Sequence, residues 1–398
     1  MKYNFDKDIC RKNTDSFKWD TMDEKFNTKD AIPMWVADMD FEVSKSIVEG
    51  IKKRLDHEVF GYGVTPDSYF DAFTSWMKNK HNYLIEKDWI VFSPGVVPGI
   101  SRAVGAFTEK DDEVIVQSPV YHHFYSAIAA NGCKVIDNPL ILKDGKYEMD
   151  FNDLQKKITD KTKMIILCSP HNPVGRVWKV EELRKLGEIC LQHNILVISD
   201  EIHCDIVYKG YKHTVFSTID ERFKDISIIC TAPNKTFNIA GFQTANLVIA
   251  NSELRERFNK HNEKEFFYGH SILGNIAQEE AYKNGYEWYE QLMEYLEDNK
   301  DFAIDFIENR LPQLKVIRPE GTYLLWIDFS SLNMNTQELK RFLIDDCGVI
   351  LSEGSEFGAD CGHFQRMNIA TQRNNIRKAL EKIEYEIKNK KVGILEGK

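Results

Sequence analysis

The stretch IICTAPNKTFNIAG, residues 228–241, runs from Ile228, Ile229 and Cys230 directly into Thr231, Pro233, Asn234, Lys235 and Asn238. The apolar run reads as a buried strand, and the proline and asparagines after it read as a loop. A lysine in such a place is ordinarily a solvated loop residue, because lysine is rarely buried. Its meaning depends on what other segments bring beside it.

Outward from this stretch, residues 90–250 repeat one theme: a short apolar run, a loop rich in Pro, Asn, Asp or Gly, then a stretch with helical spacing. The runs are DEVIVQSP (112–119), KMIILCSP (163–170), NILVISDE (194–201), ISIICTAP (226–233) and ANLVIA (245–250). Continuous apolar runs of this length predict strands covered on both faces, and their alternation with helices predicts an α/β fold with a mostly parallel sheet. Between two of them, residues 180–193 place Leu183, Leu186, Ile189, Cys190 and His193 at helical intervals, as expected of a covering helix. Further on the character changes. A long helical stretch (286–311), the strand-like GTYLLWIDFS and the helical NTQELKRFLIDDCG predict a smaller α+β domain over 286–398. The large domain then spans 46–285, and residues 1–45 form an arm expected to pack against the small domain and the entrance of the site.

Composition excludes several classes of function. The formal charge of -10 is spread along 398 residues without a basic cluster, so no electrostatic footprint for nucleic acid or an anionic membrane surface is present. The start of the chain is charged throughout, and no apolar run is long enough to cross a bilayer. The eight cysteines form no C-x-x-C pair and no metal-finger spacing. No metal is expected, and a reducing cytoplasm is the expected location.

In open α/β sheets ligands bind beyond the carboxyl ends of the strands. Four strand ends here carry polar residues: Tyr121, Asn172, Asp200 with His203, and Lys235. A fifth segment, IVFSPGVVPGISRAV (90–104), sets Gly95, Val96 and Val97 at a helix start, whose free N–H groups attract phosphate. Taken singly, each is an ordinary aromatic, turn former, helix cap or strand-to-helix turn. Taken together they supply an amine, a carboxylate, an amide, an aromatic face and a phosphate cradle. Pyridoxal 5′-phosphate requires that set: its aldehyde condenses with a lysine, its ring nitrogen takes a carboxylate partner, and its flat ring stacks on an aromatic.

The motifs IPMWVADMDF (32–41), GYG (61–63), SPGVVPGI, SPVYHHF, SPHNPVGRVW, SDEIHCDIV, APNKTFNIAG and RMNIAT (366–371) follow one another in order along most of the chain. In this the sequence resembles the fold type I pyridoxal phosphate enzymes, within them the cystathionine β-lyase (C-S lyase) group allied to the class I/II aminotransferases. The resemblance implies that Lys235 joins the cofactor aldehyde, Asp200 faces the ring nitrogen, Asn172 donates to the ring oxygen and Tyr121 stacks on the ring. It further implies a phosphate held by the N–H groups of Gly95, Val96 and Val97, its charge balanced by Thr231, Tyr62 and the helix start, with His203 among the cofactor-binding residues and a substrate carboxylate clamped by Arg366. Tyr62 would reach the site of a second copy, making the protein a homodimer, while Trp35 and Asp38 would line the entrance. The chain departs from many aminotransferases at Gln243, where they carry a phosphate-binding arginine, and at His203, where they carry a tyrosine. The expected activity is carbon–sulfur β-elimination on cystathionine, cysteine or a related S-substituted cysteine, giving a thiol or hydrogen sulfide, pyruvate and ammonia. An aminotransferase of the same fold and a regulatory protein that retains the fold for binding are the alternatives.

Overall fold

The apolar runs form a seven-stranded sheet in the computed structural model, which describes residues 2–396 except 268 and 270. Its strands are β1 (Ile90–Ser93), β2 (Glu113–Val116), β3 (Lys134–Asp137), β4 (Thr162–Cys168), β5 (Leu196–Asp200), β6 (Ser227–Thr231) and β7 (Ala245–Val248). They lie in the order β1-β7-β6-β5-β4-β2-β3. The pairs from β3 to β6 are parallel, and β7 alone runs antiparallel to both its neighbours. The edge strand β3 carries no long apolar run, and sequence reading passes over it.

Alternation along the strands accounts for a sheet covered twice. Ile115, Ile165, Leu167, Val197 and Ile229 enter one core cluster, whereas Val114, Met164, Ile166, Ile198 and Ile228 enter another on the opposite face. Helices Val96–Phe107 and Val180–Gln192 are among those beside the sheet. Leu183, Leu186, Ile189 and Cys190 are buried as their spacing predicts, but His193 is the exposed C-cap and takes no part in the packing. The register Cys168↔Asp200↔Cys230 aligns the carboxyl ends of β4, β5 and β6. Their three following loops therefore open on one edge of the sheet.

Helix Tyr286–Arg310 precedes a four-stranded antiparallel sheet made of β8 (Lys315–Ile317), β9 (Leu324–Asp328), β10 (Ser352–Glu353) and β11 (Phe364–Asn368) in the order β8-β9-β11-β10. The predicted helix over NTQELKRFLIDDCG is α-helical only through Thr336–Arg341 and widens to a π turn over Phe342–Asp346. The N-terminal arm joins this part of the molecule: Ile32 and Pro33 pair in parallel with Val349 and Ile350.

Candidate active site

A cavity of about 680 Å³ lies at the aligned strand ends. The large sheet contributes Tyr121, Asn172, Asp200, His203 and Lys235 to its wall, together with Gly95, Val96 and Val97 at the start of helix Val96–Phe107. Trp35 comes from the arm, and Ser352 and Arg366 come from the small sheet.

Lys235 stands in the short helix Pro233–Thr236, which β6 and its proline launch toward the cavity. Its Nζ donates to the carbonyl of Ala37 at 2.7 Å. Burial, with the nearby Arg366 charge, brings the amine down to about 8, so a useful fraction is neutral near physiological pH. Asp200 ends β5 and is buried, and its side chain accepts one backbone N–H, from Ile202 at 3.1 Å. Burial pushes this carboxyl up to about 7 against the pull of that N–H and of Lys235. A carboxylate this short of donors calls for a cationic partner.

Arg366 sits on β11 with its guanidinium fixed from three segments. Nη1 donates to Asn172 Oδ1 at 3.1 Å, and Nη2 donates to the Trp35 carbonyl at 2.8 Å and to Ser352 Oγ at 3.0 Å. Its Nε is buried without a partner among the described residues, and burial lowers the group to about 10. Phe357 packs under the guanidinium at 4.8 Å. Tyr121 lines the cavity with its hydroxyl pushed up to about 12 by burial, which keeps the ring neutral. His203 is buried with Nδ1 unpaired among the described residues, and burial holds it well below the usual imidazole range, so it too is neutral. Pro98, the third residue of helix Val96–Phe107, has no N–H, so the free donors at its start come from the residues just before it.

Three of the residues picked from the sequence lie elsewhere. Thr231 is buried, but its Oγ1 turns to the carbonyl of Asn246 on β7 at 3.5 Å and is not part of the cavity wall. Asp38 turns away to ion pairs with Arg11 at 2.7 Å and Lys18 at 3.5 Å, while the carbonyl of its neighbour Ala37 receives Lys235. Tyr62 is fully exposed, at 111% of its reference area, and stands apart from the cavity of its own chain. Gln243 is exposed and in the left-handed region, at φ 51°. Conversely, sequence reading missed Ser352, Tyr323 and Phe357. Tyr323 donates its hydroxyl to the same Ala37 carbonyl at 2.9 Å. No local pattern marks these three, because each acts on a residue carried by a different segment of the chain.

Residues 29–383 match the family described as aminotransferase class I and II. The chain belongs to this family. Within it, the chain is 42% identical over 382 residues to cystathionine beta-lyase PatB of Bacillus subtilis, covering 96% of this chain and 99% of the relative. The crystal structure of cystalysin from Treponema denticola, which contains a pyridoxal 5′-phosphate cofactor, superposes with a TM-score of 0.95 at 40% identity over 98% of this chain and all of that one. The pyridoxal phosphate-bound C-S lyase of Staphylococcus hominis gives 0.91 at 35% identity, covering 97% and 98%. The donor set of this chain fits that cofactor on its own terms: a donor-poor buried carboxylate for a protonated ring nitrogen, an amine poised for an aldehyde, and free N–H groups for a phosphate.

Proposed function

We propose that the protein is a pyridoxal phosphate-dependent carbon–sulfur β-lyase acting on cystathionine or a related S-substituted cysteine. The observation that carries this reading is the pairing of the buried Asp200 with the partly buried Lys235 on one cavity wall, with Arg366 facing the same space. The relatives named for carbon–sulfur lyase activity support the choice of reaction within the family.

When bound, the cofactor supplies an aldehyde that captures the substrate amine and a ring that draws electron density from its α-carbon. Asp200 keeps a proton on the ring nitrogen, which makes that ring an electron acceptor. Asn172 would donate to the ring oxygen, Tyr121 would cover the ring, and the N–H groups of Gly95, Val96 and Val97 would hold the phosphate. Arg366 takes the substrate carboxylate in a planar fork; Asn172, Trp35 and Ser352 preset its orientation. Lys235 Nζ accepts the proton from the α-carbon as general base. Cleavage of the carbon–sulfur bond then releases the thiol, and hydrolysis of the remaining three-carbon fragment gives pyruvate and ammonia.

The exposed segment with Val59, Phe60, Tyr62 and Val64 supports a homodimer in which Tyr62 reaches the partner's cavity. The cysteines form no disulfide among the described residues, which fits a reducing, cytoplasmic setting. No helix among the described residues is long and apolar enough to cross a membrane.

The test is incubation of purified protein with L-cystathionine, with and without a 2-oxo acid. Pyruvate formed without the acceptor is the expected result. Turnover only in its presence would assign an aminotransferase, and no product in either arm would assign a binding protein.

A further inference from the structure

Behind the cavity wall lies a second buried carboxylate that the chemistry above does not use. Asp205 Oδ1 accepts from Trp76 Nε1 at 3.0 Å and lies 2.7 Å from His81 Nε2, while Oδ2 accepts from the hydroxyl of Thr236 at 2.7 Å. Its backbone carbonyl accepts the Tyr289 hydroxyl at 2.7 Å. Trp76 and His81 both belong to helix Asp67–His81, and Thr236 immediately follows Lys235. The His81 ring meets that of His213 edge-on at 5.6 Å, and His213 Nε2 lies 2.8 Å from Glu201 Oε2, next to Asp200. One buried network therefore braces the immediate neighbours of both residues assigned to the cofactor.

His81, Cys204 and Asp205 also cluster closely enough to suggest a metal site. The protons aimed at Asp205 by Trp76 and Thr236 oppose a cation there, and the carboxylate has its donors already.

We infer that Asp205 is a positioning residue for Lys235: through the Thr236 hydroxyl it locks the helical turn Pro233–Thr236 so that Nζ is held facing the cavity. The turn is a single one, with Thr236 its last residue and Phe237 its cap. A turn this short has too few internal hydrogen bonds to hold its orientation alone. The Thr236 side chain is buried and gives the turn a fixed point on a carboxylate that helix Asp67–His81 in turn immobilises. The inference rests on the cofactor reading above, since it concerns how the cofactor lysine is aimed.

The test uses the holoprotein and compares Thr236→Val, which removes the hydroxyl at nearly constant shape, with Thr236→Ser, which keeps it. Pyridoxal phosphate affinity, the pH midpoint of the visible band formed with Lys235, and the melting temperature are measured together. For Thr236→Val, loss of one hydrogen bond to a charged group weakens affinity about tenfold, and the midpoint moves by more than about 0.3 pH unit. Thr236→Ser retains both. Should Thr236→Val fail to fold, Trp76→Phe, which removes another donor to the same carboxylate, must change affinity and midpoint in the same directions. A Thr236→Val protein that melts earlier while keeping wild-type affinity and midpoint overturns the inference. A wild-type protein with no visible band overturns the cofactor reading instead, and the inference with it.

Discussion

Asp200 and Asp205 stand at the two ends of one buried loop, and their surroundings are opposite. Asp205 has three side-chain partners. Burial alone would raise it, but His81, Thr236 and Trp76 more than offset that and hold it below the usual carboxylate range. Asp200 is equally buried, has one N–H donor, and rises to about 7. The difference teaches how to sort buried charges: a carboxylate that the protein satisfies by itself holds structure, whereas one left short of donors is kept for something that binds.

The comparison breaks most visibly at Asp200. Asp200→Asn should lower kcat/KM for pyruvate formation by about 10²–10³-fold, the usual cost of removing an electrostatic partner from a reacting centre. Without cofactor the same variant should be more stable above neutral pH. The folded carboxyl titrates near 7 and the unfolded one near 3.8, so the folded state binds the extra proton and its contribution is lost as pH rises through that window. Denaturant midpoints of the cofactor-free protein from pH 4 to 8 should fall more steeply for wild type than for Asp200→Asn; parallel curves would refute the assignment of Asp200 as unsatisfied.

Arg366 extends the contrast, because its Nη atoms are held by protein while Nε has no partner among the described residues. Arg366→Lys loses the fork, and KM for cystathionine should rise about thirtyfold, the equivalent of about 2 kcal/mol, with kcat less affected. Initial-rate kinetics over a range of substrate separates the two. At Asp205 the order of effects reverses: Asp205→Asn should destabilise by about 3 kcal/mol, because His81 and the other donors lose a charged acceptor, while kcat falls only about tenfold. Urea unfolding beside steady-state kinetics reads both; a variant of wild-type stability would show that Asp205 is not the satisfied partner of the pair. At the small end, Gln243→Ala, at an exposed position, should change kcat/KM by less than about twofold and stability by less than about 0.5 kcal/mol. A large loss there would place a phosphate contact where none is proposed.

What the sequence makes legible follows the same division. The wall built from β4, β5 and β6 is local: each apolar run delivers one loop, so Asn172, Asp200 and Lys235 can be read directly and found together. Thr231, reached only through the resemblance, turns its hydroxyl to β7 within the sheet and lies outside that wall. The opposite wall has no such grammar. Arg366 is legible only through the family motif. Its supports Trp35 and Ser352 arrive from the arm and from a two-residue strand, and the arm contributes carbonyl oxygens where its Asp38 side chain was expected. Tyr62 belongs to neither wall of its own chain, so the role proposed for it depends on a second copy.

The claim beneath all of this is that the Lys235 amine meets the cofactor opposite Asp200. Borohydride reduction of the holoprotein followed by peptide mass spectrometry tests it directly. A pyridoxyl phosphate adduct on Lys235 within the peptide that contains APNKTF is the predicted result. An adduct on a different lysine, with Lys235 unmodified, would contradict the account.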